Sequence, residues 1–392
     1  MKAQVVHKPF PQHVSYTTGT IKPNHISQQE LDKSVIDFYF EWKNRYIRIG
    51  CSNKEYYVWS EGVKNFDCVS EGQGYGMVII VYMAGVDSMA QKIYDGLFTY
   101  YRNHPSRRSP FLMAWQQIPN CADAEKSSAT DGDMDIALSL ILADAQWGSA
   151  GKINYMAEAK LIISAIINQE INHKTWSILL SNEVEDDSKD YFDTRTSDFM
   201  PATFKAFMLA SDDSNWRKVV DRNYSLFALF QKKYSPDAGL VPDFILRTDA
   251  HPHPARARFL ESKYDGCYNF NACRVSWRVS LDYLLNGDSR SKKFVEKINQ
   301  WIRETTGNIP DNISAGYTLG GDDLPRRNYE AMCFIAPFAV SAMVSSKNQL
   351  WLNNLWDYFT TFKMKEFDYY DNSIKMICMI IISGNYWQPV GH

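Results

Sequence analysis

The sequence predicts an all-α chain, folded as an (α/α)6 barrel of six inner and six outer helices. Three observations carry that prediction. Helical periodicity runs almost from end to end, in twelve segments. Several segments are apolar all round, such as Met376-Ile377-Cys378-Met379-Ile380-Ile381-Ile382, and lie next to a segment with one apolar stripe. A helix without a polar face needs neighbours on every side, so the alternation implies inner helices wrapped by outer ones. Pair spacing is irregular and no motif recurs. A solenoid of helical hairpins, the alternative, would show a fixed period.

Residues 1–26 have no helical period and read as an extended N-terminal segment. Residues 28–47 form a first helix with a polar face. Residues 70–85 come next; their run Met77-Val78-Ile79-Ile80-Val81-Tyr82-Met83-Ala84 has no polar side, and the amphipathic 88–103 packs beside them. Residues 131–147 follow, then 155–171, where Met156, Ala159, Ile163 and Ile166 mark one face. Residues 197–209 are buried, with 215–233 as their striped partner. Residues 271–285 pair with 291–306, whose Phe294, Ile298, Trp301 and Ile302 share a stripe. Residues 329–345, 349–362 and 370–383 close the chain. The connections 104–129, 172–196 and 235–270 are long for a compact domain, and such loops are usually functional. In a ring they would rim one end and build a cleft. No low-complexity linker interrupts the chain, so residues 1–392 read as one domain.

Composition narrows the function classes. The formal net charge is −3, which argues against a nucleic-acid partner. The longest apolar runs fall short of the ~18 residues a membrane helix needs, so no membrane partner is expected. Aromatics make up 14% of the chain; flat rings hold sugars, and they equally fill a helical core. The seven cysteines lack paired C-x-x-C spacing, and an odd number does not describe a full disulfide framework. The first seven residues hold no apolar run of the signal-peptide kind.

Five stretches draw attention as chemistry. In Ser70-Glu71-Gly72-Gln73-Gly74-Tyr75-Gly76, Ser70 reads as a helix cap and Glu71 as an acid in the first turn. Each glycine costs a helix about 1 kcal/mol relative to alanine, tolerable where something approaches the backbone closely. An acid matched to the helix dipole explains Glu71 as well as a site does. In Thr130-Asp131-Gly132-Asp133-Met134-Asp135, Thr130 reads as a cap with Asp133 in a capping-box position. A calcium loop fails, because Ile136 and Leu142 stand where Gly and Glu are needed. Asn271 and Arg274 open a third buried helix, and an arginine there suits a carboxylate or sugar hydroxyls. His251-Pro252-His253 has no second cluster to make a metal site, and its loop runs on to Phe259-Leu260-Glu261. The acidic loop of Glu183, Glu185, Asp186, Asp187, Asp190 and Asp193 reads as a solvated face; on a cleft rim it would favour a cationic substrate. A magnesium-binding D-D-x-x-D is absent, since Asp322-Asp323 runs into Leu324-Pro325-Arg326. No cofactor or metal is expected.

At these residues the chain resembles glycoside hydrolase family eight. Residues 129–147 match that family's signature, A-[ST]-D-[AG]-D followed by Ile136-Ala137, Ser139, Ala143 and Trp147. Ser70 to Gly76 matches its S-E-G-x-G-Y-G hallmark. Leu112-Met113-Ala114-Trp115 and Ser383-Gly384-Asn385-Tyr386-Trp387 fit as well, so the likeness spans about Pro9 to Trp387. The resemblance implies an (α/α)6 barrel that hydrolyses β-1,4-linked glycans with inversion. By motif, Glu71 is similar to the general acid and Asp131 to the carboxylate that binds and distorts the sugar. Trp115 resembles a stacking platform, and Arg274 the family's arginine at a helix opening. Tyr75, Asn271 and Asp198 complete the expected substrate-binding set.

One departure matters. Many members carry an aspartate base where this chain has Asn271, and an amide accepts no proton. One subfamily, similar to chitosanases and mixed-linkage glucanases, shares the asparagine and is thought to use a glutamate from an inserted loop. The loop ending at Glu261 looks like that insertion, so the resemblance assigns the base to Glu261; near wild-type rates in Glu261→Gln would shift the role to Asp198 or Asp265. The expected activity is an endo-acting chitosanase, drawn by the acidic loop toward ammonium groups. The alternatives are a β-1,3-1,4-glucanase or cellulase, and an inactive glycan-binding homologue. A polymeric substrate implies secretion; a monomer is expected. All of this requires Glu71 and Glu261 to face one groove.

Overall fold

The computed structural model describes residues 5–61 and 66–389. Twelve α-helices run through them: α1 Gln28–Tyr46, α2 Ser70–Tyr82, α3 Ala90–Asn103, α4 Thr130–Trp147, α5 Tyr155–Gln169 and α6 Pro201–Ser211, then α7 Asn215–Lys233, α8 Val275–Asn286, α9 Ser289–Thr306, α10 Met332–Ala342, α11 Gln349–Thr361 and α12 Tyr369–Ile382. The even-numbered helices form a ring in which each packs against the next, and α12 closes it by packing against α2. That closure separates a barrel from a solenoid, whose last helix never meets its first. The chain is an all-α (α/α)6 barrel.

Burial follows the sequence pattern. Every described residue of α2 except Glu71 is buried, whereas α9 buries only the stripe built on Phe294, Ile298 and Ile302. Each fully buried side chain of this size stabilises the fold by roughly 1.5–3 kcal/mol. Residues 5–26 carry no helix or strand and cross the far end of the ring. Backbone N–H groups of His7, Phe10, Val14, Thr17 and Ile21 donate to carbonyls of Gln146, Ala84, Gly384, Leu284 and Met343. Those carbonyls end or follow α4, α2, α12, α8 and α10, so the strap satisfies acceptors that a helix C-terminus leaves free.

The long connections are not structureless. Among the described residues, they and the stretch after α1 hold ten short strands: β1 Ile47–Ile49, β2 Tyr56–Val58, β3 Cys68–Val69, β4 Pro105–Ser106, β5 Ser109–Met113, β6 Gln116–Ile118, β7 Ala122–Glu125, β8 Thr194–Arg195, β9 Phe244–Leu246 and β10 His253–Pro254. Two three-stranded sheets, β3-β6-β7 and β8-β9-β10, wall the end where the inner helices begin. A disulfide joins Cys51 to Cys121, tying the β1–β2 hairpin to the β6–β7 hairpin; five other cysteines are free.

Two predicted caps are not caps. Val69 and Ala129 occupy those positions, and neither makes a side-chain cap bond. Ser70 is the first residue of α2, and the Thr130 hydroxyl donates instead to the Leu179 carbonyl at 2.8 Å. Asp133 makes no capping box; it accepts the Met113 backbone N–H. Buried helix starts draw their partners from the loops packed on them. Helix α10 is shorter than the predicted 329–345, beginning only at Met332.

Candidate active site

The starts of α2, α4, α8 and α12 converge on one cavity of about 370 Å3. Glycine makes the first convergence possible. A Cβ on Gly132 would lie 2.7 Å from the Ser70 carbonyl carbon and 2.8 Å from the Glu71 nitrogen. One on Gly74 would lie 2.8 Å from Asp135 Cβ. The glycines admit α4 against α2, and that contact sets Glu71 beside Asp131.

Arg274 stands between them. Its Nη1 donates to Glu71 Oε2 at 2.6 Å and to Asp131 Oδ2 at 2.7 Å. The same nitrogen reaches the Tyr75 hydroxyl at 3.1 Å, and Nη2 donates to Asn271 Oδ1 at 2.9 Å. Asn271 Nδ2 in turn donates to Glu261 Oε2 at 2.7 Å. A continuous relay therefore runs Glu71–Arg274–Asn271–Glu261, and both carboxylates line the cavity. Tyr369 donates to the other Glu71 oxygen at 3.0 Å, and Arg195 Nη1 lies 3.4 Å from the other Glu261 oxygen.

Glu261 is held from below. Asp265 accepts the backbone N–H groups of Leu260, Glu261 and Ser262 at 2.7–3.0 Å. Phe259, against Phe244, anchors the loop, while Leu260 is exposed. Asp243 likewise gathers the backbone N–H groups of Asn269, Asn271 and Ala272. Its carboxyl is pushed up to about 8, burial outweighing those donors.

Electrostatics separate the two acids on Arg274. Glu71 is only partly exposed, at the floor of the cleft, and loss of water around its carboxyl drives it up to about 7, with the Asp131 charge adding and Arg274 and Tyr369 opposing. Asp131 is buried too, yet Arg195 and Arg274 together outweigh that and hold it at about 2. Two adjacent carboxyls with pKa values driven apart can play different parts in one reaction.

Not every expected residue faces the cavity. Tyr75 is fully buried beneath Arg274 and does not line it. Asp198 is fully buried as well, 3.6 Å from Arg195 Nε, with its carboxyl raised to about 6 by burial. Asp265 is spent on backbone amides. Trp115 lines the cavity, between β5 and β6. Arg195, Tyr369 and Tyr370 are among the lining residues that the sequence does not single out. The tyrosine pair opens an apolar helix much as Glu71 does, and that signal was legible. Arg195 had none, because only the pairing of β8 with β9 puts it there.

The acidic loop is elsewhere. Glu185, Asp186 and Asp187 line a separate hollow of about 480 Å3. Glu183 pairs with Arg107 at 3.2 Å and Glu185 with Arg108. Glu183 and Glu185 are thus paired, and the hollow lies apart from the cleft that holds Glu71 and Glu261, so this loop sets no negative charge against a substrate there.

Residues 31–384 match the sequence profile described as Glycosyl hydrolases family 8. The chain belongs to glycosyl hydrolase family 8. A β-glucanase of Niallia circulans is 44% identical to this family 8 chain, covering 97% of it and 91% of that protein. An endoglucanase of Bacillus sp. strain KSM-330 is 41% identical, over 98% of this chain and 82% of the other. The apo structure of a β-1,3-1,4-glucanase from Paenibacillus sp. X4 superposes with a TM-score of 0.94 at 43% identity, covering 98% of this chain and all of that one. A cold-adapted family 8 xylanase, at 19% identity and a TM-score of 0.77, shares the fold. As a family 8 member the chain is a glycoside hydrolase, with a β-glycan as its partner class.

Proposed function

We propose that the chain is an inverting endo-glucanase that cleaves β-1,3-1,4-glucan, with Glu71 as general acid and Glu261 as general base. The observation that carries this is the relay through Arg274 and Asn271, which ties two carboxylates to opposite ends of one rigid spacer. Inversion needs such a fixed separation, about 6.5–9.5 Å, to admit a water. Water attacks the anomeric carbon and gives its proton to Glu261. The bond to the leaving oxygen breaks, and that oxygen takes the proton from Glu71. Asp131, ionised throughout, holds the sugar at the cleavage point and opposes the positive charge that develops there. Asn271 cannot be the base; it aims one.

The names of the similar β-glucanase, endoglucanase and β-1,3-1,4-glucanase support glucan over the chitosan first expected. The acidic loop lines a hollow apart from the cleft, which removes the main reason for chitosan. The reading takes the chain as one monomeric catalytic domain, exported from the cell. The Cys51–Cys121 disulfide supports export, since such bonds persist in oxidising compartments. A reducing-sugar assay on barley β-glucan, carboxymethylcellulose and soluble chitosan tests the reading. Fastest release from β-glucan, with product in the inverted anomeric form by NMR, is expected. Faster release from chitosan, or retention, overturns it.

A further inference from the structure

Two carboxyl groups behind the cleft wall have no part in that chemistry. Asp133 on α4 and Glu170 at the end of α5 are completely buried. Asp133 Oδ1 accepts the Met113 backbone N–H at 2.8 Å, and Glu170 Oε1 accepts the Ser128 hydroxyl. The second oxygen of each, Asp133 Oδ2 and Glu170 Oε2, is buried with no donor. The two side chains lie within hydrogen-bonding reach of each other. As two anions they would leave both oxygens unsatisfied and repel at contact. One proton between them satisfies both.

We propose that Asp133 and Glu170 share a single proton and that this pair positions the Trp115 wall of the cleft. Met113 ends β5, two residues before Trp115. Ser128 precedes α4 and is cross-bonded to Asn182: Ser128 N donates to Asn182 Oδ1 at 3.2 Å, and Asn182 N to Ser128 Oγ at 2.9 Å. The pair thus ties the connection bearing Trp115, and the one bearing Asn182, to the helix that carries Asp131. Asp131 from the same helix and Asp198 from the turn after β8 face it and disfavour a second negative charge. The Tyr101 hydroxyl of α3 faces it too. Burial, with these charges, raises both acids, Asp133 the further, as the one that donates to Glu170. The pair therefore keeps its shared proton through neutral pH and gives it up only in alkali.

The pairing stands apart from the glucanase reading, while its effect on binding rests on that reading. The test is a titration of tryptophan emission from about pH 6 to 10, on the full chain and on Trp115→Phe. Expected is one transition on the alkaline side of neutral that Trp115→Phe loses. Glu170→Gln, whose amide donates to Asp133 at any pH, abolishes it. Asp133→Asn, which keeps the acceptor for Met113 and donates to Glu170, does the same. KM for β-glucan oligosaccharides rises several-fold over that range in the parent chain and stays flat in either variant, with kcat at pH 6 within about twofold. A transition that survives in both variants, or none above neutral pH in the parent, overturns the proposal. If no variant cleaves β-glucan, the glucanase reading fails and the emission titration still decides the pair.

Discussion

Glu71 and Asp131 accept hydrogen bonds from the same nitrogen, Arg274 Nη1, at 2.6 and 2.7 Å. One guanidinium cannot hold both acids equally. Asp131 has Arg195 nearby as well, so it stays ionised while Glu71 keeps its proton to about 7.

With Glu71 as the proposed general acid, activity should fall as pH rises through about 7, where that carboxyl loses its proton. Asp131→Asn removes a neighbouring negative charge and leaves Arg274 to Glu71 alone. Both changes favour the Glu71 carboxylate, so the high-pH limb of the kcat profile moves to lower pH. A limb that stays put, or moves up, would reassign the acid.

Glu71→Gln should abolish turnover and stabilise the fold. The folded chain holds the Glu71 proton more tightly than the unfolded chain, so the parent loses stability from about pH 4.5 to about 7. At 1.36 kcal/mol per unit the shift from 4.5 to about 7 amounts to about 3 kcal/mol. Thermal unfolding should show the variant gaining on the parent across that window and then holding a constant lead.

Glu261→Gln should cost kcat on the order of 10²–10⁴ and leave KM little changed. Asn271→Asp is the sharper probe. It sets a second carboxylate against Glu261 Oε2 and removes the donor at 2.7 Å. Turnover should drop by at least about tenfold rather than rise, because the two acids repel and Glu261 loses its aim. An active Asn271→Asp chain that tolerates Glu261→Gln would show that the base had moved to position 271.

Gly132→Ala should be among the most damaging single-carbon additions, since its Cβ meets backbone atoms of residues 70 and 71 within 2.8 Å. Overpacking of this kind costs roughly 1–3 kcal/mol. It also moves α4 off α2, so kcat should fall further than the melting temperature suggests. A control at Gly151, where nothing lies within 4 Å, should change neither.

The sequence by itself determined the twelve helices, the alternation of buried and striped ones, and the stretches holding Glu71, Asp131, Asn271 and Arg274. Those signals are local: apolar period, glycine and an acid at a helix start are read within a few residues. Tertiary structure alone decided what each side chain meets. Arg274 pairs with Glu71 from 203 positions away. Tyr75, four residues after Glu71 on the same helix, turns inward, and the acidic loop spends its charge on Arg107 and Arg108. Arg195 reaches Glu261 because two loop strands pair. Contacts of that kind arise from ring closure and loop packing, which bring together residues whose separation along the chain carries no trace of their proximity.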